Sequence, residues 1–115
     1  MDCLNFSTNW NNKLTGKTYT TIRLFNEHRF KIGKTFMVTI KKKNLHVAQV
    51  VDLKVITPDT LNEWIARLDT GYSLPETLSI LKKMYGTQYS DSLRLHLVLL
   101  EVVKNSYQNY LNLLD

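Results

Sequence analysis

The apolar residues of this chain change period twice, and that change limits the folds open to it more than any other feature. From Thr18 to Leu24 residues alternate, with Tyr19, Thr21 and Arg23 on one face and Thr20, Ile22 and Leu24 on the other. Alternation continues in Phe36, Val38 and Ile40, and again in Leu45, Val47, Val51, Leu53 and Val55. A period of two means strands. Beyond Thr57 the spacing becomes i, i+3, i+4, i+7, in Leu61, Trp64, Ile65 and Leu68 and then in a stripe of Leu74, Leu78, Leu81 and Tyr85. It returns to two at Leu93, Leu95, Leu97 and Leu99. Strands, two inserted helices and a late strand predict an α+β domain whose sheet must close or be covered. The expected form is a small closed β-barrel of about five or six strands flanked by two to four short helices.

Local signals punctuate these elements. Thr57-Pro58-Asp59 supplies a cap, a first-turn proline and an early acid, predicting a helix over 58–69. Ser73 and Glu76 have capping-box spacing and Gly86 stands where a C′ glycine would, predicting a second helix over 74–85. Gly33 marks a turn, and Lys42-Lys43-Asn44 is the polar break that joins two strands into a long hairpin. Residues 8–15, with Trp10 and Leu14, suit one or two helical turns ending at Gly16. Residues 105–115 read as a helical tail packed on a domain spanning 1–104, with Tyr107, Tyr110, Leu111, Leu113 and Leu114 as its contact side chains. If exposed, those side chains would make the chain a protein-interaction domain.

At 115 residues, 43% apolar and 22% charged, the chain suits one domain able to fold without disulfides or metals. A lone Cys3 fits a reducing compartment, and no apolar run approaches the ~20 residues a bilayer requires, so a cytoplasmic protein is expected. The net charge of +5 is unevenly placed: ten bases face three acids through residue 54, and five face seven beyond it. Such a field suits an anionic partner such as RNA, with Lys31, Lys34, Lys41, Lys42 and Lys43 as candidate nucleic-acid contacts. For the Lys41–Lys43 run a solvated hairpin tip is the more economical reading, with a phosphate-contacting tip as the alternative.

Several chemistries lack their residues. His28, His46, His96 and Cys3 have no zinc-site spacing, the four glycines are too scattered for a phosphate loop, and there is no Gly-x-Ser-x-Gly elbow. No metal or cofactor is expected.

One local motif carries more. Gly16-Lys17-Thr18-Tyr19-Thr20-Thr21-Ile22-Arg23 is a glycine turn feeding a strand, followed by Phe30-Lys31-Ile32-Gly33-Lys34. This order resembles the ASCH domain, a PUA-like small barrel whose signature is Gly-x-Lys-x-x-Glu-x-Arg. Gly16 and Arg23 match, Thr21 stands at the Glu position, Thr18 stands at the Lys position, and Lys17 is one residue early. The Thr21-Ile22-Arg23 segment is similar to the small bacterial acetylcytidine amidohydrolases, and the likeness extends from Phe6 to Gly86. The resemblance implies an RNA- or nucleoside-binding module. In the enzymatic subfamily it implies Thr21 as nucleophile, Lys17 as base and Asp69 as acid, with Arg23, Thr18 and Tyr19 on the substrate. In coordinates, Thr21 and Arg23 should then share a pocket with Asp69 in reach and Lys17 or Thr18 at its rim.

Overall fold

The computed structural model describes residues 1–103. The 105–115 tail lies outside the described residues. Five strands, β1 (Cys3–Phe6), β2 (Thr18–Leu24), β3 (Thr35–Ile40), β4 (Lys43–Ile56) and β5 (Leu95–Val102), form one curled sheet in the order β1-β3-β4-β5-β2. A 3₁₀ segment (Trp10–Thr15) leads into β2, and the helices α1 (Glu63–Thr70) and α2 (Leu74–Tyr85) separate β4 from β5. No helix among the described residues is long and apolar enough to cross a membrane.

The sheet does not close, contrary to the barrel expected from the sequence. β1 pairs only with β3 and β2 only with β5, leaving a seam between the two edge strands. Side chains occupy that seam where a ladder would stand. Arg23 Nη2 donates to the Asn5 carbonyl at 2.9 Å, its guanidinium lies 4.7 Å from the centroid of the Phe6 ring, and the Phe6 and Tyr19 rings meet edge-on at 6.1 Å. The result is an open half-barrel. β1 itself carried no sequence signal, because four residues are too few to display a period; its alternating burial at Leu4 and Phe6 appears only in the fold.

Two apolar clusters hold the domain together. Inside the curl, Leu4, Phe36, Val38, Val50, Val98 and Leu100 are buried with Phe6, Tyr19 and Phe30. Outside it, Ile22, Ile56, Leu61, Leu81 and Leu95 bury against one another, with Leu74, Leu78 and Tyr85 of the α2 stripe packed on them. The α2 limits match the expectation, and its capping box forms in both directions.

The first helix differs from its prediction. Thr57 does not cap it, because Thr57 and Thr60 close a local turn: the Thr60 and Leu61 amides both donate to the Thr57 carbonyl, and the Thr57 amide donates to Thr60 Oγ1 at 2.9 Å. Asn62 is the true cap, its Oδ1 accepting from the Ile65 amide at 2.9 Å. In the helix as formed Ala66, Asp69 and Thr70 are buried and Ile65 packs on the second cluster, while Trp64 and Leu68 of the expected stripe are exposed.

Candidate functional site

The seam ends in a cleft of about 90 Å³ walled by β1, the 3₁₀ segment, β2 and both helices. This is small beside the ~300–1,000 Å³ of pockets that swallow a drug-sized ligand, so it suits the end of a ligand and not the whole. Thr21, Arg23 and Asp69 line it together. Because β2 is an edge strand, groups from both of its faces reach the opening.

Thr21 is buried, and its Oγ1 accepts a 2.9 Å hydrogen bond from Arg23 Nε. That bond depends on strand alternation, which sets the two side chains on one face. Burial, and then the neighbouring Arg29, hold the Arg23 guanidinium below its ordinary pKa. Its position is nevertheless suited to a cation, since it donates to a backbone carbonyl and lies over an aromatic face.

Asp69 meets the cleft from the last turn of α1. Its Oδ1 accepts from Thr20 Oγ1 at 2.8 Å and from Lys13 Nζ at 3.0 Å, whereas Oδ2 has no hydrogen-bond partner among the described residues. Lys13 also donates to the Asp69 carbonyl at 2.9 Å, so the ammonium both neutralises the carboxylate and caps the negative end of the helix. Asn11, which adopts φ 56°, adds its side-chain amide to the Arg67 and Leu68 carbonyls. The 3₁₀ segment is thus fastened to the end of α1 by two side chains. Lys13 and Asp69 side chains are 7% and 6% exposed, which makes them a buried ion pair beside the opening. Burial pushes the Lys13 pKa down; Asp69 opposes that shift and Arg23 adds to it.

Lys13 is the residue that the motif reading missed. It lies 56 positions from Asp69 in a segment without periodicity, and only the fold brings them together. Lys17 and Thr18 are exposed and do not line the cleft. Tyr19 points into the half-barrel, where its hydroxyl is 2.7 Å from His46 Nε2. Lys31 is exposed, and Lys34 pairs with Asp2 at 2.8 Å. Lys41, Lys42 and Lys43 are exposed at the β3–β4 hairpin tip. No group of three or more His, Cys, Asp or Glu side chains is gathered as a metal site among the described residues.

No family model and no curated protein matches the chain. Among solved structures, it is similar to protein EF3133 from Enterococcus faecalis V583, of the family DUF984, with a TM-score of 0.60 and 14% identity. The likeness covers 78% of this chain and 63% of that one, so the chain spans less than two thirds of its neighbour. At that identity the shared property is the fold, a small curled half-barrel.

Proposed function

We propose that the seam cleft binds the polar edge of a nucleobase, presented by a nucleoside or by RNA. The observation that carries this is the juxtaposition of Asp69, one of whose carboxylate oxygens has no partner among the described residues, with the buried Lys13 ammonium, the half-buried Arg23 guanidinium and the Thr21 hydroxyl. A cytosine edge offers an exocyclic amine beside a carbonyl. A carboxylate accepts from the former and a cation donates to the latter, and such readings are what single-stranded RNA recognition uses. The size of the cleft agrees, admitting an edge and leaving the sugar outside.

Hydrolysis of acetylcytidine is a second reading, favoured by the hydroxyl of Thr21 held by a cation in the cleft. In it Thr21 Oγ1 attacks the acetyl carbonyl, its proton passes to an amine, cytidine leaves with a proton, and water then releases acetate. Lys13, lining the cleft, is better placed than Lys17 to take that proton. Burial lowers the Lys13 pKa on balance, but its ion pair with Asp69 opposes that shift and occupies the ammonium, which while protonated cannot act as a base. Binding is therefore the leading reading.

Calorimetric titration with cytidine and acetylcytidine tests it, alongside assay for released acetate. Cytidine binding that weakens tenfold or more in Asp69→Asn supports recognition, and absence of binding refutes it. Acetate release lost in Thr21→Ala and Lys13→Ala, but retained in Lys17→Ala, would establish hydrolysis; the Thr18→Lys variant asks whether a lysine at that position increases it.

A further inference from the structure

Two features flank the cleft on different sides, and the nucleobase reading uses neither. One is the β3–β4 tip. Lys41 and Lys42 adopt φ 49° and 66°, the left-handed region in which two-residue hairpin turns prefer Asn-Gly. Lys41, Lys42 and Lys43 have no carboxylate partner among the described residues. The tip is fastened to the cleft wall: the Lys41 amide donates to the Phe6 carbonyl and the Lys42 amide to Asn5 Oδ1, each at 2.9 Å. Asn5 and Phe6 both line the cleft. Asn5 Oδ1 is held in turn by Thr39 Oγ1 at 2.8 Å, so three lysines stand at a fixed place beside the opening.

The other feature is aromatic. Trp10 lines the cleft and also two shallow surface depressions beyond it, both shared with Tyr72. The two rings meet edge-on at 5.9 Å, and Tyr72 is 44% exposed. A flat ligand group leaving the cleft on this side meets aromatic surface, and an anionic group leaving on the β1 side meets ammonium groups.

We infer that the ligand is a single-stranded polynucleotide, with one base in the cleft, a neighbouring base against Trp10 and Tyr72, and backbone phosphate at the Lys41–Lys43 tip. This rests on the nucleobase reading of the cleft. Bases alternating with phosphates are the chemistry that uses both flanks, whereas a free nucleoside uses neither. Duplex RNA keeps its bases stacked away from the aromatic pair.

The test compares cytidine, a single-stranded RNA hexamer and a duplex of that length, using a Trp64→Phe background in which Trp10 is the sole tryptophan. Trp64 is exposed, so that change is tolerated. The hexamer should bind at least about tenfold more tightly than cytidine or duplex and quench Trp10, since each stacked base contributes about 5- to 150-fold. Tyr72→Ala should weaken the hexamer about fivefold or more and leave cytidine unchanged. Lys41→Asn with Lys42→Gly keeps the turn and should lower the salt dependence of hexamer binding by about 0.7 log units per decade of salt for each phosphate that is no longer neutralised. If cytidine binds as well as the hexamer, or neither variant affects the hexamer, the polynucleotide inference is wrong and the cleft reading stands. If neither ligand binds, both fail.

Discussion

Adjacent residues of β2 lead to two buried polar pairs of opposite character. Tyr19 turns into the half-barrel and meets His46 at 2.7 Å, while Thr20 turns outward to Asp69, itself paired with Lys13 at 3.0 Å. The first pair is neutral: burial pushes the tyrosine pKa up and the histidine pKa down, so the hydrogen bond joins uncharged groups. The second is charged and lies at an opening. A buried ion pair is weak evidence for stability, since apolar side chains of similar volume often do as well. The difference between the pairs is access. The neutral pair completes a core, and the charged one presents its groups to whatever enters the cleft.

Breaking the charged pair should have the largest effect. Lys13→Ala leaves the Asp69 carboxylate buried without its cation, and stability should fall by about 3–5 kcal/mol, measured by urea unfolding. Lys13→Met with Asp69→Asn removes both charges and should recover much of that loss. A double variant no better than Lys13→Ala would mean that packing, not charge, explains the effect. Ligand binding should not return with the stability.

The sequence displayed what is periodic or local and concealed what is assembled at a distance. Both limits of α2 were legible because Ser73, Glu76 and Gly86 act within their own turns. The shared face of Thr21 and Arg23 followed from alternation, and Asp69 came from the family resemblance and does line the cleft. The start of α1 was misread because Thr57-Pro58-Asp59 has the composition of a helix start and here closes a turn. The open seam was invisible for another reason: whether two edge strands pair depends on the side chains wedged between them, here Arg23, Phe6 and Tyr19. Lys13 had no local signal at all, since its partner is a helix end 56 residues away.

The neutral pair should yield a smaller loss without a binding phenotype. Tyr19→Phe removes the hydroxyl that meets His46 Nε2 and should cost about 1–3 kcal/mol, while cytidine binding is unchanged because Tyr19 does not line the cleft. Its acid sensitivity follows from linkage. Burial lowers the His46 pKa, so below about 6.5 the unfolded chain takes up a proton that the native state resists. Stability is therefore intact above that pH and declines as pH falls toward the folded pKa. His96 acts in the same direction, its pKa lowered first by burial and then by Arg94, and its Nδ1 must be unprotonated to accept from the Asn26 amide at 3.1 Å. Urea midpoints at pH 7.5 and 5.5 should differ in this sense, and less so in a Tyr19→Phe, His46→Leu variant. Greater stability at pH 5.5 would contradict the assignment.

The finest distinction uses two glycines. Gly33 and Gly71 have similar left-handed φ values, 91° and 83°, so alanine at either position carries a similar backbone penalty of about 1 kcal/mol. Their surroundings differ. A Cβ at Gly33 meets nothing within 4 Å, whereas one at Gly71 meets Asn11 Oδ1 at 3.2 Å and Asn11 Cβ at 3.3 Å. Asn11 ties the 3₁₀ segment to the end of α1, and Lys13 follows it by two residues. Gly71→Ala should therefore displace the segment that positions the ion pair and weaken cytidine binding severalfold, at a stability loss little greater than that of Gly33→Ala. Gly33→Ala should leave cytidine affinity unchanged. Equal affinities in the two variants would show that the position of Lys13 does not depend on the Asn11 contact.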